Sequence, residues 1–555
     1  MKKIFKILII TIVTSFTIAS CSDVLDVKSS RVTYENDYRM SSPNDTTYAM
    51  NGIWHQLQKI ADNYVLLGEL RGELLDVTEN SNLNLREINN FEITKNNPYA
   101  QIKDYYSIIN NCNYVIQYID TAYTTKGQKV MYGYLAAVKS IRAWTYMQIA
   151  LNFGTVKYYQ KPILSEADAA AVNNYQDISM NELSDLLIAD LTPLKDVNLS
   201  LFLYGYSFPI HFVLGDLYLW KGDGYYDKAA TEYHDLMSAR GYGMFANGYG
   251  INIYQSTWNL KNNVISVSSG FTINWINSFT SGDGETITQI YCPTTFGQRF
   301  DLDSLNYNYQ LTSSTIAVNN WDTQIYHNTA LDYIPGDLRK YGSIVDKNYV
   351  SINNGNVTAT ITPTNSTTKN IIGKYLVYNH NVLVYRSSLL YLRYAEAVNR
   401  LGKPNLAFAV LKNGLRNATM STPSIVPLNE RSTEKYMDFS DRQFDFNVGI
   451  RWRGLGPKLK DPNYAVLTLG DCDSTFVIKQ QASLSDSILY VEDLIQKELA
   501  LETAFEGNRF QDLMRFAIRR NDPAYLADKV AEKHPDNKAV IIEKLMHPEN
   551  WYIKK

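Results

Sequence analysis

The sequence predicts a mainly α-helical fold in which helix pairs stack into a curved scaffold and pack against an irregular, loop-rich half with short strands. Three observations predict it. Apolar residues recur at spacings of three and four through most of the first half. Two helix-pair units, each with a small residue and a tight turn, lie far apart in the chain. Between them, from about 241 to 385, the pattern changes to Gly, Asn, Ser and Thr with short β-prone runs.

The elements follow in order. Met1-Lys2-Lys3-Ile4-Phe5-Lys6 is basic, and Ile7 to Ile18 is uncharged. That run is shorter than the ~20 apolar residues needed to cross a membrane, so residues 1–20 read as a signal peptide. Ile18-Ala19-Ser20-Cys21 resembles a bacterial lipobox, which predicts cleavage before Cys21 and lipid on its thiol. The alternative is an ordinary secretory signal that holds a cysteine. Several acyl chains on one residue give stable attachment, whereas one is marginal. The polar residues 21–39 read as a tether; by length 40–555 could hold several domains or one large domain built from repeated units, with a helical scaffold at about 45–240 and 386–418.

Ile53, Leu57 and Ile60 mark one amphipathic helix, and Tyr105, Ile108, Cys112, Ile116 and Ile119 another. The Asn-rich stretch Gly68 to Asn97 between them reads as loop. A third helix spans about Tyr132 to Leu151 and ends at Asn152-Phe153-Gly154. A fourth opens on Ser179-Met180-Asn181-Glu182, a capping box, and closes at Pro193. Gly215 to Gly222, then Tyr226 to Tyr233, resembles a tetratricopeptide unit, in which a small residue lets two helices cross closely. A second such unit runs from Leu390 through Gly402 and Pro404 to Leu415. Pairs of this kind bury their apolar faces only by stacking.

The 241–385 insertion, with Val264 to Val267 and Val357 to Thr364 as strand-like runs, is too long for a simple loop and is expected to fold against the scaffold on the ligand side. The remainder, 419–555, is irregular from Met420 to Ser485, then helical over Val491–Phe505 and Phe510–Arg520.

Composition excludes several classes. A net charge of -3 gives no basic field for nucleic acid. Cys112, Cys292 and Cys472 have no C-x-x-C spacing, so buried or free thiols are the simpler reading, with one disulfide as the alternative. The seven histidines include no H-E-x-x-H, and no serine sits in a G-x-S-x-G elbow, so no metal or catalytic template is expected. Ser281 to Glu285 lacks the spacing of a calcium loop and reads as a turn. Forty-two Tyr, twenty Phe and eight Trp supply rings suited to cores, interfaces and sugar platforms alike.

Phe505-Glu506-Gly507-Asn508-Arg509-Phe510-Gln511-Asp512-Leu513-Met514-Arg515-Phe516, preceded by Glu498 and Glu502, resembles the C-terminal signature of the SusD/RagB family of outer-membrane nutrient-binding lipoproteins. Tyr394 to Ala397 with Asn399, Gly402, Asn413, Arg416 and Ala418 is similar to the family's last helix pair, and Ile141 to Tyr146 through Gly154 to an earlier one. Leu499, Thr503 and Lys157-Tyr158-Tyr159 depart from the pattern. The resemblance implies that 40–555 is a single domain, a SusD-like α-α superhelix with four tetratricopeptide-like pairs packed against an irregular half that carries the ligand site. It also implies a SusC-like TonB-dependent transporter as partner, and a place on the outer membrane facing the exterior.

The charged signature invites a catalytic reading, because paired carboxylates hydrolyse glycosides. Here Glu498, Glu502, Glu506, Asp512, Arg509 and Arg515 surround an apolar helix stripe, which suits helix-to-helix ion pairs instead. Two polar, aromatic-bearing stretches remain as ligand candidates. Asp76, Asn84, Arg86 and Tyr99 combine planar hydrogen-bonding groups with a ring, and Trp275, Phe279 and Tyr291 lie in the insertion. For any one of them, ordinary packing is as common as contact. The leading expectation is a non-enzymatic lipoprotein that captures oligosaccharide for the transporter. Peptide capture of the RagB type, a secreted glycosidase and a ligand-free scaffold are the alternatives.

Overall fold

Each predicted helix forms, with ends set by its own sequence. The structure, a computed structural model, describes residues 40–197, 199, 206–239, 258–261, 264–267, 285–292, 301–328, 333–335, 337, 339–347, 350–353, 356–359, 369–375, 381–445, 447–454, 464–468, 478 and 481–555. Helix α1 (Pro43–Gln58) opens at Ser42, whose hydroxyl accepts from the Asp45 N–H, with Pro43 in the first turn. Next come α2 (Ala61–Glu69) and α3 (Leu83–Asn89).

The α3 helix corrects the loop expected over 68–97. The Asn82 side chain accepts from the Leu85 N–H and caps a helix that buries Leu85 and Ile88. Asparagine favours helix starts as strongly as turns, which is why composition alone misled.

Helices α4 (Ile102–Tyr118), α5 (Met131–Phe153) and α6 (Met180–Leu191) follow. At α6 the capping box is present in both directions: Ser179 Oγ accepts from the Glu182 N–H and the Glu182 carboxylate from the Ser179 N–H. The pair α7 (Ile210–Lys221) and α8 (Tyr226–Ser238) crosses at Gly215, where a Cβ would lie 2.4 Å from the Tyr233 ring. The second pair is α9 (Ser387–Arg400) and α10 (Pro404–Lys412). Each helix packs on the next along the series α4, α5, α6, α7, α8, α9, α10, and α1 lies on α4. This stacking is the predicted scaffold.

The insertion is tied to it by short antiparallel pairs. Leu311–Ser313 pairs with Leu75–Val77 of the scaffold, and Thr286–Tyr291 pairs with Asn381–Arg386, the end of the insertion that leads directly into α9. Val264–Val267 forms a strand as predicted, paired with Trp258–Lys261. Asn356–Ala359 covers the first half of the other predicted run, whose remainder lies outside the described residues. Trp321, fully buried, donates from Nε1 to the Leu501 carbonyl at 3.1 Å and joins the insertion to α11 (Leu484–Glu502). A continuous cluster of buried apolar side chains reaches from Met40 to Ile553. A smaller one gathers α12 (Arg509–Arg520), α13 (Pro523–Ala531) and α14 (Lys538–Leu545).

The charged residues around 505–516 form buried ion pairs. Arg515 grips Glu396 through two bonds of 2.6 Å, and Asp512 lies between Arg393 and Arg515. Despite its burial, these guanidiniums hold the Asp512 carboxyl below the usual carboxylate range. Arg339 reaches Glu498 at 2.6 Å and Glu502 at 2.9 Å, and Arg386 reaches Glu502 at 2.8 Å and Glu506 at 2.6 Å.

Between α11 and α12 the chain turns through Phe505 (φ 70) and Gly507 (φ 91) against α2. A Cβ on Gly68 would lie 1.9 Å from the Gly507 carbonyl oxygen, so two backbones touch there. That contact lets the Glu69 carboxylate accept the N–H groups of Gly507 at 2.8 Å, Phe505 at 3.0 Å and Arg509 at 3.4 Å. Burial nevertheless pushes Glu69 up to about 7.

Cys112 and Cys292 are buried free thiols, while Cys21 and Cys472 lie outside the described residues. No described helix is long and apolar enough to cross a membrane.

Candidate functional site

Helix α1 buries Thr46, Met50, Ile53 and Leu57 on one side. Trp54 and His55 fall beside that stripe and, with Asn51, Gly52 and Gln58, form one wall of a cleft of ≈ 480 Å³. The facing wall is the strand Thr286–Tyr291 with Tyr206. Side chains two apart on a strand share a face, so Gln289 and Tyr291 stand together. Pairing of Tyr291 with Asn381 and Ile290 with Val382 fixes the strand against the segment that leads into α9.

Three anchors set the cleft's shape. The Trp54 indole donates from Nε1 to the Tyr206 carbonyl at 3.1 Å, and the two rings lie 5.4 Å apart at 47°. The chain after Tyr206 is held because Thr288 donates to the Ser207 carbonyl at 2.8 Å and Phe208 stacks on Trp144 at 4.5 Å. Gln58 donates from Nε2 to the Tyr291 carbonyl at 2.8 Å, joining the end of α1 to the end of the strand.

That last bond orients the amide, since only its NH₂ end can donate to a carbonyl. Gln58 is 4% exposed, and its Oε1 is left buried without a hydrogen-bond partner, as is Gln289 Oε1. A buried acceptor left unsatisfied costs about 1–3 kcal/mol. A ligand that supplies hydroxyl or N–H donors removes that penalty. Tyr291 is 44% exposed and offers its ring to such a ligand. The cleft therefore combines aromatic faces with two amide groups whose oxygens lack partners, the complement of a molecule with apolar C–H faces and hydroxyl rims. No carboxylate lines it. Among the described residues no His, Cys, Asp or Glu group has the arrangement to hold a metal.

The sequence-stretch candidates distribute unevenly. Tyr291 lies in the cleft; Trp275, Phe279 and the turn at Ser281 to Gly284 lie outside the described residues. Asp76, Asn84, Arg86 and Tyr99 gather around α3 and do not line the cleft. Asp76 is half-buried with its Oδ1 accepting from the Val77 N–H at 2.8 Å, and burial raises its carboxyl. Half-buried Asn84 sits in the first turn of α3, its carbonyl accepting from Asn97 Nδ2 at 2.9 Å. Arg86 donates to the carbonyls of Ser81, Thr78 and Glu79 at 3.1, 2.9 and 3.0 Å, so its guanidinium staples the preceding turn.

Tyr99, the ring of that stretch, is buried. It is 3% exposed, its ring belongs to the core, and its hydroxyl meets Asp301 at 3.4 Å. Sequence reading passed over Trp54, Tyr206, Gln58 and Gln289. The available signal was Trp54 itself, a large ring one position off the Ile53/Leu57 stripe.

No protein-family model matches the chain, and no curated protein matches it. Solved structures do. A SusD homolog from Bacteroides thetaiotaomicron superposes with a TM-score of 0.55 at 14% identity, covering 90% of each chain. NanU of B. fragilis gives 0.53 at 17% identity over 87% of this chain and 90% of its own. Surface glycan-binding protein A from Bacteroides fluxus gives 0.53 at 14% identity over 90% and 94%. The chain has the SusD-like fold.

Proposed function

We propose that this SusD-like protein captures oligosaccharide at the cell surface and passes it to a SusC-like TonB-dependent transporter, while lipid on Cys21 holds it at the outer membrane. The observation that carries the reading is the Trp54 cleft, where rings and two unsatisfied amide oxygens converge. Tyr291, with Trp54 and Tyr206, supplies stacking, and Gln58 and Gln289 accept from sugar hydroxyls. Asp76 and Asn84 contribute a separate polar surface at α3, with Arg86 and Tyr99 supporting its shape, and Trp275 and Phe279 are further candidates for ligand contact.

The SusD-like fold supports this reading, and so does the printed name of one structural neighbour, a surface glycan-binding protein. Holding the ligand rather than cleaving it is the reading favoured by the described cleft lining, since glycoside hydrolysis uses two carboxyl groups across the bond and no carboxylate is among those residues. The test is binding of the purified mature protein to a glycan array, followed by titration of the best ligand against Trp54→Ala and Tyr291→Ala. Loss of a stacked ring removes about 1–3 kcal/mol, roughly 5- to 150-fold in affinity. Binding of peptides but no glycans, or release of shorter sugars on incubation, would contradict the proposal.

A further inference from the structure

A second cavity, of ≈ 300 Å³, shares no lining residue with the Trp54 cleft. It lies between the segments around Arg71 and Phe91 and the chain's last residues, with Lys544, Tyr552 and Lys554 in its wall.

Arg71 sets its chemistry. The residue is 1% exposed, and its guanidinium donates to neutral acceptors: the Leu67 carbonyl at 2.7 Å, the Trp551 carbonyl at 3.0 Å and the Asn152 side chain. The Phe510 ring covers one face, 4.4 Å away. Among the described residues, every other buried arginine has a carboxylate partner. Arg142 pairs with Asp190, Arg339 and Arg451 with Glu498, Arg386 with Glu506, Arg393 with Asp512, Arg509 with Glu73 and Arg515 with Glu396. Arg71 alone among them has none within ion-pair distance.

Burying a cation without a counter-charge is strongly unfavourable, and here burial pushes the guanidinium down to about 9. The rest of the wall does not compensate. Lys544 donates to the Phe91 carbonyl at 2.6 Å and Lys554 is exposed, against one carboxylate, Glu92. Phe91 holds a left-handed backbone (φ 58), a strained conformation often kept at binding sites.

We propose that this cavity binds a small carboxylate, the anion supplying the ion-pair partner that Arg71 lacks. Its volume is at the lower end of small-molecule sites, ~300–1,000 Å³, so the ligand is the size of one sugar or one amino acid. The shared chemistry is the carboxylate, carried by a sugar acid or by an amino-acid terminus. The proposal does not rest on glycan binding at Trp54.

The experiment titrates the full mature chain calorimetrically with D-galacturonate, N-acetylglycine and neutral D-galactose. Saturable binding of either acid without galactose binding is expected; which acid binds identifies the source. Lys554→Glu, at an exposed position, is expected to weaken it roughly 3- to 10-fold by reversing a nearby charge, and Arg71→Gln to abolish it. Absence of saturation by either acid up to about 10 mM, equal binding of galactose, or an unchanged affinity in Lys554→Glu overturns the proposal. If Arg71→Gln does not fold, the Lys554→Glu result decides alone.

Discussion

Replacing Gly68 by alanine adds one methyl group to the buried face of α2, and the structure sets how far the neighbours must move. The new Cβ would sit 1.9 Å from the Gly507 carbonyl oxygen, where real Cβ atoms keep at least 3.0 Å. The helix must therefore retreat by about 1.1 Å, and the acceptor is backbone, so no rotamer change relieves the clash. The same retreat pulls Glu69 off the Phe505, Gly507 and Arg509 N–H groups, taking the 2.8 Å bond beyond hydrogen-bond range. Overpacking contributes ~1–3 kcal/mol and loss of even one bond to a charged acceptor ~1.5–3. Their sum, about 3–6 kcal/mol, rivals the whole stability of a marginal domain. Gly52→Ala is the control: on exposed α1, with nothing within 4 Å of the new Cβ, the helix propensity of alanine should stabilise by about 0.5–1 kcal/mol. Urea unfolding followed by circular dichroism reads both. A Gly68→Ala variant within 1 kcal/mol of the parent would refute the backbone contact.

Other perturbations give equally definite expectations. Arg386→Met removes the cation shared by Glu502, Glu506 and Glu285, leaving buried carboxylates short of a partner, and should destabilise by about 3–5 kcal/mol; Arg386→Met with Glu506→Gln should recover part of it in the same urea assay. His534 is held down to about 4 by burial and by neighbouring Lys533, below its unfolded value of 6.5. The unfolded chain then binds the extra proton between those values, so stability from this group is present above pH 6.5 and falls as pH drops toward 4. Relative to His534→Gln, the parent should lose about 1–2 kcal/mol over that window, after allowance for the partial exposure of the ring; parallel curves for the two proteins would disprove it.

The helical half was legible because its signals are local. The Ser179/Glu182 box, Pro404 at a helix start, and apolar spacing along Tyr105, Ile108 and Cys112 act within a turn or two, and each operates in the structure as read. The charged signature was legible as packing: Asp512, Arg515, Glu498 and Glu502 lie at the buried contacts among helices. Asn82 shows where locality fails, since the same side chain serves a turn or a cap and only burial of Leu85 and Ile88 decides.

The cleft was harder to see because its walls come from α1, Tyr206 and a strand more than 230 residues after Gln58. Nothing in the sequence pairs Gln58 with Tyr291. The burial of Tyr99 was not legible for a related reason: a tyrosine reads the same on a surface as in a core, and only tertiary packing places this one inside.

The Trp54 cleft is proposed to bind sugar through its rings and the unpartnered amide oxygens of Gln58 and Gln289. Calorimetric titration of the mature protein with the glycan selected on an array, beside Trp54→Ala, tests it most directly. Saturable binding is expected, weakened roughly 5- to 150-fold in a Trp54→Ala protein that circular dichroism shows to be folded. Undiminished affinity in a folded Trp54→Ala protein would place the ligand elsewhere and contradict the account.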